Sequence, residues 1–182
     1  MKTFSKTFCT LVLVLTSATL AFAQAGAPIK ARGAFGEGFW EASKRQQHAQ
    51  DHAQMLYNYG QAQQPVAVEK VKEHSTAIRQ NVTASQKALT EAKKAYADNK
   101  DVQAAVAKIE SIHKKVGAHC DLLDAQAGAA KTDNVAIHAC CADIYHDIAE
   151  ADAELAKLMK TLKIAPPAPP KKTPAATQPE KK

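Results

Sequence analysis

Residues 65–97, PVAVEKVKEHSTAIRQNVTASQKALTEAKKAYA, determine the fold class of this chain. Apolar and small side chains recur in this segment at steps of three and four residues, which is the period of an amphipathic α-helix. Pro65 is suited to the first turn of such a helix, because its missing N–H is not needed there. The segment therefore predicts one long helix with a single inward stripe. The residues of that stripe are Val68, Val71, His74, Ser75, Ile78, Asn81, Val82, Ser85, Ala88, Leu89, Ala92 and Tyr96.

Three further segments have the same period. They are predicted to form helices over residues 39–59, 101–127 and 133–164. Gly60 and Gly128 stand where the first and third of these helices should end, since glycine favours the C-terminal cap. Thr132 or Asp133 is expected to cap the last helix, and the proline-rich segment after Ile164 should end it.

The connections between these helices are short, which favours antiparallel neighbours. The sequence thus predicts an all-α protein, an antiparallel up-down-up-down four-helix bundle over residues 39–164. The first helix has the weakest stripe, because glutamine and alanine crowd it. A three-helix bundle with a mobile N-terminal helix is the alternative.

The N-terminus has the features of a secretory signal peptide over residues 1–23. Two lysines precede an apolar stretch at residues 11–20, and Ala21-Phe22-Ala23 supplies the small-x-small pattern of a cleavage site. The apolar stretch is shorter than the ~20 residues of a transmembrane helix. We therefore expect a secreted or periplasmic protein of the cell envelope without a transmembrane anchor, and an uncleaved signal is the alternative.

Both ends of the mature chain lack the composition of a folded segment. Residues 24–38 contain four glycines and are predicted to be a flexible lead-in. Residues 165–182 hold six prolines and four lysines, with no aliphatic side chain larger than alanine. This composition cannot pack a core, so we expect a disordered, extended tail. The tail serves either as a solvated spacer or as a contact to an envelope protein or the cell wall.

Charge and motifs exclude several classes of function. The formal net charge is +6, but the predicted signal and tail carry most of it, and residues 24–164 carry about +1. A nearly neutral body gives no electrostatic footprint for nucleic acid. The chain contains no Ser/His/Asp pattern, Gly-rich phosphate loop or His-Glu-x-x-His motif, so we expect no enzyme.

Histidines and cysteines gather near one end of the predicted bundle. In an antiparallel helix pair, residues at equal distances from the turn lie level with each other, which brings donors from all four helices together. The predicted group comprises His52, His74, His119, Cys120, His138 and Cys141. His48 and His113 fall one or two turns deeper and are secondary candidates. Imidazoles and thiols are costly inside a bundle unless they are paired, and one metal ion satisfies several of them.

This donor set favours a soft or borderline metal ion. Histidine and cysteine suit Cu(I) or Zn(II) better than Mg, Ca or Mn, and we expect no organic cofactor. The cysteines also allow another reading, because an exported protein meets an oxidising compartment. Cys120 would then form a disulfide with Cys140 or Cys141.

An exported signal, four predicted helices and inward donors such as Cys120, Cys140, Cys141 and His138 together resemble the bacterial four-helix-bundle copper-binding and copper-storage proteins. The resemblance covers residues 39–164 and implies a bundle that holds copper inside. Those proteins line the bundle with many cysteines, whereas the predicted mature chain has three and no repeated Cys-x-x-x-Cys. The resemblance therefore implies one or two metal ions rather than a high-capacity store.

Two functions are expected from the sequence. The first is a non-enzymatic exported bundle that binds copper or zinc through inward His and Cys side chains, for metal buffering or delivery in the cell envelope. The second is a structural or interaction bundle of the envelope, joined internally by the cysteine disulfide, whose tail reaches a partner.

Overall fold

The computed structural model of the protein describes residues 31–61 and 65–166. The predicted signal peptide, residues 24–30 of the predicted lead-in and residues 167–182 of the predicted tail lie outside the described residues. The described chain forms four helices, α1 (Ala31–Gly60), α2 (Val68–Lys94), α3 (Lys100–Gly128) and α4 (Asn134–Thr161).

The helices form the antiparallel four-helix bundle that the sequence predicts. Each helix packs against the two that flank it, in the order α1, α2, α3, α4 and back to α1. Near the start of α1, the Trp40 Nε1–H donates to the carbonyl of Ala165, just after α4. At the other end of α1, Gly60 lies against His138 near the start of α4. The two helices therefore run in opposite directions, and α1 faces α3 across the diagonal of the bundle.

The core consists of two apolar clusters, which follow each other along the bundle. The stripes predicted for α2, α3 and α4 supply most of it. The Leu56 cluster includes Leu56, Ile78, Leu123, Ile137 and Ile144. The Phe39 cluster includes Phe39, Leu89, Ile109, Leu155 and Met159. Burying one such side chain stabilises the fold by about 1.5–3 kcal/mol. Over the two described ranges, no helix is both long and apolar enough to cross a membrane.

The start of α1 corrects the prediction of a flexible lead-in for residues 31–38, because the helix already begins at Ala31. Two of the glycines behind that prediction serve packing instead. A Cβ atom added to Gly36 would lie 3.0 Å from Cγ2 of Ile164, and one added to Gly38 would lie 3.1 Å from Cβ of Ala92. A side chain at either position would crowd these neighbours, so the two glycines let α1 approach α2 and the end of α4 closely.

The middle of α1 is also firmly packed, and the alternative of a mobile first helix is wrong. Ala42, Ala49 and Ala53 are fully buried and form a narrow inward stripe. The stripe is hard to recognise in the sequence because alanine is only weakly apolar. The Ser43 hydroxyl donates to Oδ1 of Asp152 on α4 over 2.7 Å. Small side chains thus give α1 its close contacts with α2 and α4.

The loop between α3 and α4 fixes where α2 begins. Asp133 caps α4, as one of the two predicted possibilities, whereas the Thr132 hydroxyl donates to the carbonyl of Val66 over 2.7 Å. The N–H of Val66 donates to Oδ1 of Asn134 over 2.9 Å. Because both bonds hold this segment in an extended form, α2 begins three residues after Pro65 instead of at the proline.

The C-terminus of α4 is a Schellman motif, and it ends the helix at Thr161, three residues before the predicted end. The N–H of Lys163 donates to the carbonyl of Lys160 over 3.1 Å, and the N–H of Ile164 donates to that of Met159 over 3.0 Å. This motif needs one residue in the left-handed region. Lys163 takes that position with a φ of 54°.

We expect the substitution Lys163→Gly to raise the free energy of unfolding by about 1 kcal/mol, because glycine adopts the left-handed conformation without a steric penalty. Chemical denaturation measures the change. The control is Lys160→Gly, which places glycine in the last turn of α4 and should lower stability by about 0.5–1 kcal/mol. Equal effects of the two substitutions would contradict the role assigned to Lys163.

Candidate metal centre

His52 on α1 and His74 on α2 form a histidine pair. Their Nδ1 atoms lie 3.0 Å apart, and their ring centroids lie 5.3 Å apart. His74 is buried and His52 is half-buried. A neutral imidazole has one protonated and one unprotonated nitrogen, so one Nδ1 donates to the other in this pair. The sequence predicted both residues as metal ligands, and the structure brings them together.

Aromatic and charged side chains surround the histidine pair. The ring of Tyr59, which is partly exposed, lies 5.8 Å from the ring of His74 between centroids. Glu73, the residue before His74, is exposed and pairs with Lys70 over 2.7 Å. Burial, and then the charge of His52, lowers the pKa of His74. Its imidazole therefore stays neutral at neutral pH, which is the form that binds metal ions.

His138 on α4 lies against the other side of α1. Its ring stacks on that of Tyr57, with centroids 3.9 Å apart and planes inclined by 31°. Tyr57 and Tyr59 are two positions apart on a helix, which places them about 200° apart around its axis. Tyr57 contacts His138 and Tyr59 contacts His74, so α1 stands between these two predicted ligands.

The three cysteines lie together between α3 and α4. Cys120, Cys140 and Cys141 are buried free thiols, and the Cys140 thiol donates to the carbonyl of His119 over 3.0 Å. Burial raises the pKa of Cys120 and Cys141 to about 12 and that of Cys140 to about 11. The thiols are therefore protonated at neutral pH and must lose their protons before they bind a metal ion.

The remaining predicted ligands have separate surroundings. His119 points toward Asp147, with its Nε2 atom 3.7 Å from Oδ2 of the carboxylate. His48 is half-exposed, and its Nδ1 atom lies 3.9 Å from Oδ2 of Asp51. His113 is buried in the bundle, and its Nε2 atom lies 3.2 Å from Nε2 of Gln46. None of these three histidines has contacts with the His52–His74 pair that would make it a third ligand there.

The structure does not gather the predicted ligands into one site. Across residues 31–61 and 65–166, no group of three or more His, Cys, Asp or Glu side chains is arranged to hold a metal ion. No family model, curated protein or solved structure matches the chain.

The histidine pair has the spacing of a two-ligand chelate. Two metal–nitrogen bonds of about 2.0–2.1 Å that meet at an angle between 90° and the tetrahedral value place the nitrogens about 2.9–3.4 Å apart. The Nδ1 atoms of His52 and His74 are 3.0 Å apart. An ion held by both Nδ1 atoms would require the shared proton to move to Nε2 of its own ring, and the partial exposure of His52 leaves room for water or a further ligand.

Sequence reasoning missed the polar partner of His113. Gln46 is fully buried, although glutamine is usually exposed. It stands seven residues after Phe39 and seven before Ala53, which are both fully buried. Seven residues are close to two helical turns, so this spacing could have placed Gln46 inside the bundle.

We expect the burial of His113 to make the protein less stable in acid. Burial lowers the pKa of His113 to about 4, from an ordinary value of 6.5. Above pH 6.5 neither folded nor unfolded chains protonate this residue, whereas between pH 6.5 and 4 the unfolded chain binds the proton first. Its contribution to stability should therefore fall by about 3 kcal/mol over this window.

Urea denaturation at pH 7 and pH 4 tests this expectation. Between pH 7 and pH 4, the free energy of unfolding of His113→Gln should fall by about 3 kcal/mol less than that of the wild-type protein. His146→Gln is the control, because His146 is exposed on α4 and its replacement should leave the loss unchanged. An equal loss in His113→Gln and the wild-type protein would contradict the assignment.

Proposed function

We propose that this protein is an exported, non-enzymatic helical bundle that binds one copper or zinc ion through His52 and His74, for metal buffering or delivery in the cell envelope. The observation that carries the proposal is the 3.0 Å separation of the two Nδ1 atoms, which come from different helices. Export follows from the predicted signal peptide at residues 1–23.

Ligand chemistry supports copper or zinc. Neutral imidazole is a borderline donor that suits both metals and competes poorly for Mg or Ca. The lowered pKa of His74 reduces competition from protons at neutral pH. The proposal uses two of the six ligands expected from the sequence, and it leaves the buried thiols of Cys120 and Cys141 out because their protons bind tightly.

Two protein ligands favour exchange over storage. A structural zinc site closes its coordination shell with four protein side chains, whereas a site with fewer keeps positions for water or an incoming ligand. His74 is buried, but its partner His52 is only half-buried, and the neighbouring Tyr59 is 44% exposed. An acceptor protein could therefore supply the next ligands before His52 and His74 release the ion.

Isothermal titration of the mature protein, residues 24–182, with Cu(II) and with Zn(II) tests the proposal. We expect about one ion per chain, and we expect His52→Ala and His74→Ala each to weaken binding at least tenfold, because each removes a ligand. Affinity should also decrease in acid, because protonation of His74, whose pKa is lowered below the ordinary histidine value, competes with the ion.

The exposed His146 supplies the matched control for this titration. His146→Ala removes one imidazole from the surface of α4 and should bind the ion as the wild-type protein does. Circular dichroism checks that each variant remains helical. Equal affinity in the His52→Ala, His146→Ala and wild-type proteins would refute the assigned site.

The second candidate function is a structural or interaction bundle with a disulfide between α3 and α4. One observation favours it: Cys140 lies near enough to Cys120 and Cys141 for its charge to raise the pKa of both, and Cys120 also raises the pKa of Cys141. The structure itself contains these cysteines as free thiols. A disulfide would add a covalent link where α3 and α4 already pack.

Thiol counting distinguishes the two forms of the protein. If the disulfide forms after export, the protein purified from the envelope should contain one free thiol, and reductant should raise the count to three. Cys120→Ser should prevent this increase and lower the midpoint of unfolding, because a disulfide typically stabilises by about 2–4 kcal/mol. Three free thiols without reductant would contradict the disulfide.

A further inference from the structure

Three polar side chains from three helices lie in one layer across the middle of the core. Gln46 on α1, Ser85 on α2 and His113 on α3 are 0%, 0% and 2% exposed. On each of these helices, the polar residue lies between residues of the Leu56 cluster and residues of the Phe39 cluster. Gln46 stands between Ala42 and Ala49, and these alanines belong to the Phe39 cluster and the Leu56 cluster, respectively.

The other two helices repeat this arrangement. Ser85 lies between Val82 of the Leu56 cluster and Leu89 of the Phe39 cluster. His113 lies between Ile112 of the Phe39 cluster and Val116 of the Leu56 cluster. The three residues therefore form a polar layer, with one of the two apolar clusters on either side of it.

The polar layer has more hydrogen-bonding atoms than its own bonds satisfy. Gln46 Nε2 donates to Nε2 of His113, and the two atoms are 3.2 Å apart. Because that nitrogen accepts, the neutral imidazole of His113 carries its proton on Nδ1. Three buried atoms then have no protein partner, namely Nδ1 of His113, Oε1 of Gln46 and Oγ of Ser85. They offer one donor, one acceptor and one hydroxyl that can do either.

These three buried atoms destabilise the fold if they stay without hydrogen-bond partners, and one small polar ligand could bond all three. A buried polar atom without a partner lowers the folding equilibrium constant about fivefold or more. Buried water molecules typically make about three hydrogen bonds to polar groups of this kind. A charged ligand would fit poorly, because none of the three groups carries an opposite charge and burial alone accounts for the lowered pKa of His113.

We propose that the polar layer is a binding site for one water molecule, which accepts a hydrogen bond from Nδ1–H of His113, donates one to Oε1 of Gln46 and bonds the hydroxyl of Ser85. The water links α1, α2 and α3 at the centre of the bundle. It extends the bond that already joins α1 to α3 across the diagonal, and it adds α2 to the same network.

A crystal structure of the mature protein at about 1.5 Å resolution tests the site directly. We expect one ordered water within hydrogen-bonding distance of Oε1 of Gln46 and Nδ1 of His113. Absence of density at that position, with the side chains placed as described, would overturn the proposal. A rearrangement that pairs the three atoms with protein groups would overturn it as well.

The substitution Ser85→Ala tests the energetic role, with Ser111→Ala as its matched control. Ser111 is an exposed serine on α3, so both changes gain the same helix propensity and only one removes a bond to the water. Relative to Ser111→Ala, we expect Ser85→Ala to lower the folding equilibrium constant two- to tenfold. If Ser85→Ala is as stable as the control or more stable, the hydroxyl has no partner and the proposal fails.

Discussion

The hydrogen bond between Gln46 and His113 crosses the centre of the bundle and constrains everything around it. It joins α1 to α3, the two helices that face each other across the diagonal. Apolar clusters lie on both sides of it, so a shift of α1 by one turn would bury the Gln46 amide among apolar side chains without a partner. The free-energy cost of the unpaired amide disfavours other alignments of α1 along the bundle axis. The observed alignment in turn places His52 beside His74.

Much of the fold could be predicted from the sequence because three of the helices have broad stripes of Val, Ile and Leu. Asp133 caps α4 as expected, whereas Gly60 and Gly128 are the last helical residues of α1 and α3 and neither takes the left-handed conformation of a capping glycine. α1 was harder to predict, because alanine and glycine bury little area and give weak periodicity. Gly38 has its role only against Ala92 of another helix, which local sequence cannot reveal.

The candidate site could be predicted only in part. Distances from the turns place His52, His74 and His138 at similar heights, and the histidine pair agrees with that expectation. Height does not specify the side of the helix, however, and His138 contacts α1 on the side away from His74. The angular position of each side chain around its helix depends on how all four helices pack. The sequence therefore predicted one shared site for residues that the bundle places on different sides of α1.

The hydrogen bond from Trp40 to the carbonyl of Ala165 affects where a fusion partner or a surface can be linked to the protein. It holds the beginning of the folded body and its last described residues at the same pole. His52 lies twelve positions further along α1 than Trp40, which is about 18 Å at 1.5 Å per residue. A fusion partner, surface linkage or affinity handle joined at either end of the described residues would therefore be attached at the pole of the bundle away from His52.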